Sequence, residues 1–151
     1  MPIVEPGQKA PTFNTKDQDG NIVKLSDFKG KKLILYFYPG DLTPTCTIEA
    51  CNLRDHFKLI QKKGYSILGV SPDDAVKHQR FISRNNLPFN LLVDHGNKIA
   101  KAYGAWGPKK LFGKEYEGIL RSTFVIDENG KIEKVISKVK SASHHLQILS
   151  D

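Results

Sequence analysis

Long apolar stretches are missing from this sequence of 151 residues. The apolar run at residues 33–38 is the size of a strand, whereas a transmembrane helix needs about 20 apolar residues. Residues 1–7 also lack the basic start and apolar stretch of a secretion signal. We therefore expect a cytoplasmic protein that does not associate with membranes.

A concentrated basic segment is missing as well, although 23 Lys and Arg residues against 16 Asp and Glu give a net charge of +7. The basic residues are spread along the chain, and their densest groups are short, at residues 29–32, 109–110 and 131–140. Nucleic-acid binding is therefore not the expected function. A composition of 39% hydrophobic and 26% charged residues is typical of a globular protein. The length fits one domain, placed at residues 1–151.

Cysteine is scarce, since the chain contains only Cys46 and Cys51. In a reducing cytoplasm, such a close pair indicates metal binding or redox chemistry rather than a permanent disulfide. A zinc site that includes His56 lacks an evident fourth ligand and the usual Cys-x₂₋₄-Cys spacing. The pair is also not the Cys-x-x-Cys of dithiol oxidoreductases. Two unrelated buried cysteines remain a further alternative.

Apolar runs alternate with segments of helical periodicity, which predicts an α/β fold. The turn-rich residues 17–21 predict an N-terminal β-hairpin, and residues 127–130 predict a second hairpin near the end. The order of the elements predicts a central mixed β-sheet flanked by helices. Strands are expected at residues 13–15, 22–25, 33–38, 66–70, 91–93, 122–126 and 132–137, and helices at residues 45–63, 71–84, 98–103 and 141–149.

Cys46 falls in the first turn of the helix predicted at residues 45–63, where unpaired N–H groups and the helix dipole favour a thiolate. A thiol with an ordinary pKa of about 8.5 is roughly 3% ionised at pH 7, so complete ionisation gains only about 30-fold. A fast reaction therefore needs further groups that stabilise developing charge. The Thr43 hydroxyl and the Cys46 N–H are suitable, together with a cation that spacing alone does not identify.

Cys51 lies five residues after Cys46, which in a regular helix means about 7.5 Å of rise and about 140° of rotation. The two side chains then point apart, whereas a disulfide needs Cα atoms within roughly 7 Å and converging Cβ atoms. A bond between these cysteines therefore requires residues 45–52 to unwind.

The pattern Pro39-x-x-x-Thr43-x-x-Cys46, followed by Cys51, resembles a peroxiredoxin active site. More narrowly, it resembles the bacterioferritin comigratory protein group, also called peroxiredoxin Q. Similar segments also occur at residues 17–20, 53–55, 104–107 and 121–127, so the resemblance covers nearly the whole chain.

The resemblance implies a thioredoxin-like fold and a thiol peroxidase that needs no cofactor or metal and acts in antioxidant defence. Cys46 would attack hydrogen peroxide or an organic hydroperoxide, and Cys51 would resolve the resulting sulfenic acid as an intramolecular disulfide. Thr43 and Pro39 would shape the pocket, Pro39 by shielding the thiolate, and Arg121 would be the missing cation. The family also implies recycling by thioredoxin or a similar dithiol reductant, and a monomer.

Thr45 departs from the family, in which glycine usually precedes the nucleophile. A positive φ at this position would strain a β-branched residue, and otherwise Thr45 is a candidate N-cap. Glu49 is either a partner that orients Arg121 or an exposed acid in the first turns of the helix.

Residues 104–118 contain four glycines and one proline and are expected to form a long ordered loop. We expect its aromatic residues, Trp106, Phe112 and Tyr116, to pack the loop onto the body, with a wall for peroxide access or reductant docking as the alternative. His144 and His145 are interpreted as solvated helix surface. From another functional class, a non-catalytic thioredoxin-fold module that binds acidic partners remains the alternative.

Overall fold

The computed structural model describes residues 2–150. The predicted α/β class is confirmed, because strands and helices alternate along most of the chain. The elements are, in order, β1 (Asn14–Lys16), β2 (Ile22–Lys24), β3 (Lys32–Phe37), α1 (Pro44–Asp55), α2 (Phe57–Lys62), β4 (Tyr65–Ser71), α3 (Ala75–Asn85), β5 (Asn90–Val93), α4 (Lys98–Tyr103), β6 (Trp106–Leu111), β7 (Lys114–Ile119), β8 (Ser122–Ile126), β9 (Ile132–Ile136) and α5 (His144–Leu149).

Five strands form the central sheet in the order β5-β4-β3-β8-β9. β3, β4 and β5 run parallel, whereas β8 is antiparallel to both β3 and β9. The sheet is therefore mixed, as predicted. β1 and β2 pair antiparallel and form the expected N-terminal hairpin.

The central strand β3 is buried on both faces, as its continuous apolar run predicts. Leu33 and Leu35 pack into one hydrophobic cluster, and Ile34 and Tyr36 pack into another, because successive side chains of a strand alternate in direction. The second cluster also contains Cys46, which is 1% exposed. Cys46 therefore packs against the face of the sheet that carries Ile34 and Tyr36.

The pairing of β3 with β8 brings distant parts of the chain together. In their antiparallel register, Phe37 lies opposite Ser122. The chain leaves Phe37 through a short loop into α1 and Cys46, and Arg121 immediately precedes Ser122. The end of β3 and the start of β8 therefore place both functional candidates at one edge of the sheet.

The expected long loop at residues 104–118 is wrong, because β6 and β7 form an antiparallel hairpin there. Glycine and proline are depleted in strands, and this composition concealed the pairing. β6 and β7 form a separate two-stranded sheet. Pro108 is tolerated there because it removes no hydrogen bond from the central sheet.

The prediction of a single helix at residues 45–63 is also wrong in one respect, because the structure has two helices there, α1 and α2, with His56 between them. His56 has a φ of −114° and a ψ of 15°, outside helical values. Among residues 2–150 no helix combines the length and the apolar character that crossing a membrane requires.

Candidate active site

Cys46 lies in the first turn of α1, as the sequence predicts. Thr43 is the N-cap residue, and Pro44 occupies the first helical position, where its missing N–H has little cost. The N–H groups of this turn have no partner within the helix and so favour an anion. The fold therefore holds a buried thiol at a position suited to a thiolate.

Arg121 supplies the cation that sequence spacing could not identify. Its Nη2 donates a hydrogen bond to Cys46 Sγ at 3.1 Å, and its Nη1 donates to Glu49 Oε1 at 2.5 Å. A planar guanidinium suits this double contact because its donors point in fixed directions. Burial alone would lower the pKa of Arg121, but Glu49 and Cys46 raise it, so the side chain stays cationic.

Glu49 is the orienting partner of Arg121 and not an exposed acid, because its side chain is fully buried. Burial raises its pKa to about 7, although the Arg121 guanidinium opposes the shift. The carboxyl group therefore changes charge near neutral pH while it holds Arg121, which contacts the Cys46 sulfur.

The interpretation of His144 as solvated surface is wrong, because it is fully buried. Its Nε2 lies 2.7 Å from Thr123 Oγ1 and 3.5 Å from Glu49 Oε2, and burial lowers its pKa. The buried Ile148, four residues further on, marks the same helix face and is the sequence signal that could have located His144. His144 therefore brings α5 into contact with Glu49 of α1.

His145 differs from its neighbour, being only partly buried. Its ring stacks on that of His56 with centroids 3.4 Å apart and planes inclined by 4°. Asn52 joins the same contact, since its Oδ1 accepts the His145 N–H at 2.8 Å and its Nδ2 donates to Ala142 O at 3.0 Å. The end of α1 is thereby fastened to the C-terminal segment.

A buried network that the sequence analysis missed fixes the loop before α1. Asp41 Oδ1 accepts the Tyr38 hydroxyl at 2.6 Å, and Asp41 Oδ2 lies 2.6 Å from His78 Nδ1. His78 Nε2 lies 2.9 Å from Leu92 O, and both Asp41 and His78 are inaccessible to solvent. Leu42, the next residue, has a φ of 65°, an unfavourable conformation that such contacts hold in place.

The zinc alternative is not supported by the side-chain directions. Cys46 contacts Arg121, Cys51 Sγ donates to Asn85 Oδ1 at 3.6 Å, and His56 stacks on a histidine. Within residues 2–150, the one group of three or more His, Cys, Asp or Glu residues with ligand-type atoms close together is Asp41, Asp73 and His78. These atoms are engaged with one another or with neighbours, because Asp73 Oδ2 accepts the Asp41 N–H at 2.6 Å and the Ser71 hydroxyl at 2.9 Å.

The two cysteines are free thiols, and α1 is continuous between them. Cys46 is directed towards Arg121, whereas Cys51 is directed towards Asn85 in α3. Their different neighbours agree with the rotation expected for residues five positions apart in a helix. The structure therefore represents the folded dithiol state.

The remaining predicted site residues lie around the entrance to α1. The Thr43 hydroxyl donates to Gly40 O at 3.1 Å, and Thr43 and Pro39 are both exposed. Thr45 is an exposed residue within the helix, and it is not among the described residues with positive φ. It is therefore neither strained nor the N-cap, which is Thr43.

Residues 6–135 match the AhpC/TSA family. The chain belongs to this family. It is 51% identical to Peroxiredoxin Bcp of Bacillus subtilis (strain 168), over 98% of this chain and 96% of the relative. Peroxiredoxin Bcp of Escherichia coli (strain K12) is 42% identical, over 99% and 96%. The solved structure of Xanthomonas campestris bacterioferritin comigratory protein has a TM-score of 0.89 at 30% identity, covering 97% of this chain and 96% of that one.

These matches confirm the resemblance to the bacterioferritin comigratory protein group and the thioredoxin-like fold. Peroxiredoxins of this family are thiol peroxidases, so the chain has this enzyme class, with a peroxide as substrate and a separate reductant.

Proposed function

We propose that the protein reduces hydrogen peroxide and organic hydroperoxides through Cys46 as the attacking thiolate. The observation that carries the proposal is the 3.1 Å hydrogen bond from Arg121 Nη2 to Cys46 Sγ in a site closed on one side by the sheet. An ionised sulfur beside a permanent cation is a stabilised anion that remains available to an electrophile.

In the first step, the Cys46 thiolate attacks one peroxide oxygen, so that a sulfur–oxygen bond forms while the O–O bond breaks. The products are a Cys46 sulfenic acid and an alkoxide or hydroxide, which takes up a proton to become an alcohol or water. Arg121 stabilises the negative charge as it passes from sulfur to the leaving oxygen. Glu49 and the sheet hold Arg121 in place before the reaction begins, so the guanidinium is already positioned to stabilise this charge.

Thr43 and Pro39 are proposed to shape the peroxide pocket. The Thr43 hydroxyl donates its proton to Gly40 O, which leaves its oxygen lone pairs as acceptors for a peroxide O–H. Pro39 is proposed to shield the thiolate from water. Thr43→Ser should keep most of the activity and Thr43→Val should lose it, since only serine retains the hydroxyl.

In the second step, the Cys51 thiol attacks the sulfenic sulfur, forming the Cys46–Cys51 disulfide and releasing water. The first turns of α1 unwind to allow it. A dithiol protein of the thioredoxin type then reduces the disulfide to two thiols. We further propose that the enzyme acts as a cytoplasmic monomer, which sedimentation of the purified protein would test.

The central experiment measures consumption of hydrogen peroxide and cumene hydroperoxide with dithiothreitol as the reductant. Wild type should turn over, and Cys46→Ser should be inactive. Treated with one equivalent of peroxide and no reductant, wild type should lose both thiols in the Cys46–Cys51 disulfide, whereas Cys51→Ser should stop at the Cys46 sulfenic acid or overoxidise. Peroxide turnover that does not depend on Cys46 would contradict the proposal, and a wild type that keeps its Cys51 thiol after this single reaction would remove Cys51 from its role.

A further inference from the structure

The β6–β7 hairpin separates its charges between its two faces. Residues directly opposite each other in the register share a face, because side chains alternate along each strand. One face carries Glu115 and Glu117, the only acidic residues of the hairpin. The opposite face carries Lys109, Leu111, Lys114 and Tyr116. Together with Phe112 at the turn, these residues form what we call the basic face.

The acidic residues of the hairpin are engaged on their own face. Glu115 lies 3.8 Å from Lys110 Nζ, and Glu117 accepts the Trp106 indole N–H at 3.2 Å. None of the ion pairs found in residues 2–150 involves Lys109 or Lys114. The basic face thus presents two positive charges that lack a carboxylate partner in the described part of the chain.

The basic face also carries apolar side chains, contrary to the expectation that the aromatics of this segment pack onto the body. Phe112 is 97% exposed, Leu111 is 55% exposed and Tyr116 is 45% exposed. Of the three aromatic residues, only Trp106, at the base of the hairpin, packs against the core. An apolar surface of this kind next to uncompensated charge is typical of an interaction site.

Phe112 occupies a backbone conformation that does not favour it. Phe112 and Gly113 form the two-residue turn between the paired residues Leu111 and Lys114, with φ angles of 51° and 79°. Turns of this kind favour Asn-Gly, because both positions need positive φ. A bulky residue here costs conformational free energy and gains no burial, so folding alone gives no reason for an aromatic side chain.

The basic face lies near Cys46, because β7 ends at Ile119, two residues before Arg121, which contacts the Cys46 sulfur. Lys109 is half-buried; burial and the Arg121 guanidinium lower its pKa, while Cys46 raises it. The stem of Lys109 and the ring of Tyr116 cover Gly118, where a Cβ atom would come within 3.3 Å of each. A molecule seated on this face therefore lies beside the edge of the sheet that holds Arg121 and Cys46.

We propose that the basic face is the docking surface for an acidic dithiol protein that reduces the Cys46–Cys51 disulfide. Carboxylates of the partner face Lys109 and Lys114, and an apolar pocket of the partner receives Phe112. One partner thiolate attacks the disulfide, forming an intermolecular disulfide and releasing one thiol of this chain. The second partner thiol then displaces the other, so two electrons pass from partner to enzyme. This inference rests on the proposed function.

Two variants remove the apolar and the charged part of the surface separately. Phe112→Asn places a favoured residue in the turn, so the hairpin should stay folded while the docking side chain is lost. Lys114→Gln removes one charge from the basic face. Its matched control is Lys110→Gln, because Lys110 is also an exposed hairpin lysine but lies on the acidic face.

Turnover of hydrogen peroxide is measured with thioredoxin, thioredoxin reductase and NADPH, and in parallel with dithiothreitol, which needs no docking surface. We expect the KM for thioredoxin to rise about 10-fold in Phe112→Asn and about 3-fold in Lys114→Gln, as for buried and rim contacts. Lys110→Gln should match wild type, and all three variants should match it with dithiothreitol. Added salt should raise the KM of wild type more than that of Lys114→Gln.

An unchanged KM for thioredoxin in Phe112→Asn and Lys114→Gln would overturn the docking proposal. The proposal would also fail if wild type turned over with dithiothreitol but not with thioredoxin. A changed sedimentation coefficient in Phe112→Asn would likewise overturn it, since a second copy of the chain would then occupy the face. If the two variants were slower only with a long-chain hydroperoxide as the substrate, the face would be a substrate site instead. Loss of wild-type turnover with dithiothreitol would instead contradict the proposed peroxidase itself.

Discussion

Arg121 Nη2 donates to the sulfur of Cys46 at 3.1 Å, although 75 residues separate the two in the sequence. The contact depends on the pairing of β3 with β8, which brings the residue before β8 to the start of the loop between β3 and α1. The same guanidinium is held by the buried Glu49. The position of the guanidinium and the positive charge beside the sulfur therefore depend on three separate parts of the chain: α1, β3 and the segment of Arg121 and β8.

Replacement of Arg121 should slow the reaction with peroxide and leave the fold intact. We expect Arg121→Gln to lower the second-order rate constant by about 10²–10³-fold, the usual effect of removing a donor that stabilises a developing oxyanion. Arg121→Lys should recover only part of this, because an ammonium lacks the fixed double contact of a guanidinium. Stopped-flow fluorescence of Trp106 can measure the rates. Arg84→Gln, at an exposed arginine, is the control and should match wild type.

Glu49 should make stability depend on pH in a defined direction. Its pKa is raised from an ordinary value near 4.5 to about 7, so the folded protein keeps a proton that the unfolded chain has released between these pH values. Stability should therefore fall as pH rises through this window, by up to about 3 kcal/mol. Urea unfolding at pH 5 and pH 8 should show this loss in wild type and not in Glu49→Gln.

The exposed Glu128 provides the control for this experiment, since Glu128→Gln should keep the wild-type pH dependence. Parallel pH profiles of wild type and Glu49→Gln would contradict the assignment. Glu49→Gln should also react more slowly with peroxide, because a neutral amide holds Arg121 less strongly than a carboxylate does.

Oxidation should unwind the first part of α1. We expect hydrogen exchange at residues 45–52 to accelerate when the Cys46–Cys51 disulfide forms, because the helical geometry keeps the two sulfurs apart. Cys51→Ser treated with one equivalent of peroxide should keep its protection. Equal exchange of these amides in the dithiol and disulfide forms of wild type would show that no unwinding is needed. Asn52→Ala should make unwinding easier, since Asn52 holds this segment to Ala142 and His145.

The stacked pair of His56 and His145 should weaken the protein in acid. Burial and the neighbouring His56 lower the pKa of His145, so below its ordinary pKa near 6.5 the folded state binds protons less readily than the unfolded chain. This contribution lowers stability as pH drops from 7.5 to 5.5 and opposes the larger effect of Glu49, so the rise in Tm over this range should be greater in His145→Gln than in wild type. His95→Gln, at an exposed histidine, should behave as wild type. The same change in Tm between these pH values in all three proteins would contradict the role of the pair.

The hairpin turn offers a direct test of backbone strain. Phe112→Asn should raise the free energy of unfolding by about 1 kcal/mol, because asparagine tolerates the positive φ at that position. Gly113→Ala should lower it by a similar amount, since Gly113 has a φ of 79°. Urea unfolding of both variants checks the expectation, and a destabilised Phe112→Asn would show that Phe112 contributes to folding.

The sequence predicts best where physical signals are local. The buried run of β3 and the start of α1 follow from apolar continuity and from Pro44 at the first helical position. The position of Cys46 at the start of a helix follows from the same local signals, whereas its reaction with peroxide and the role of Arg121 come from the family resemblance. The contact between Arg121 and Cys46 spans 75 residues and depends on the register of β3 against β8. No single-residue property reveals such a register.

Other features were missed because composition points the wrong way. Glycines and a proline concealed β6 and β7, which pair only with each other. His144 looks polar in isolation and is buried only because its helix turns that face inward. The Asp41–His78 pair joins a loop to a helix 37 residues later, and its members carry no local sign of burial.

The break at His56 sets a limit on how far structural change can spread. α2 begins again at Phe57 and has its own anchor in the core, the fully buried Ile60. A turn lost near Cys46 therefore need not propagate into α2 or the strand that follows it. Each catalytic cycle can melt and rebuild a segment of about two helical turns while the rest of the molecule stays native, so repeated turnover need not expose the core to aggregation or proteolysis.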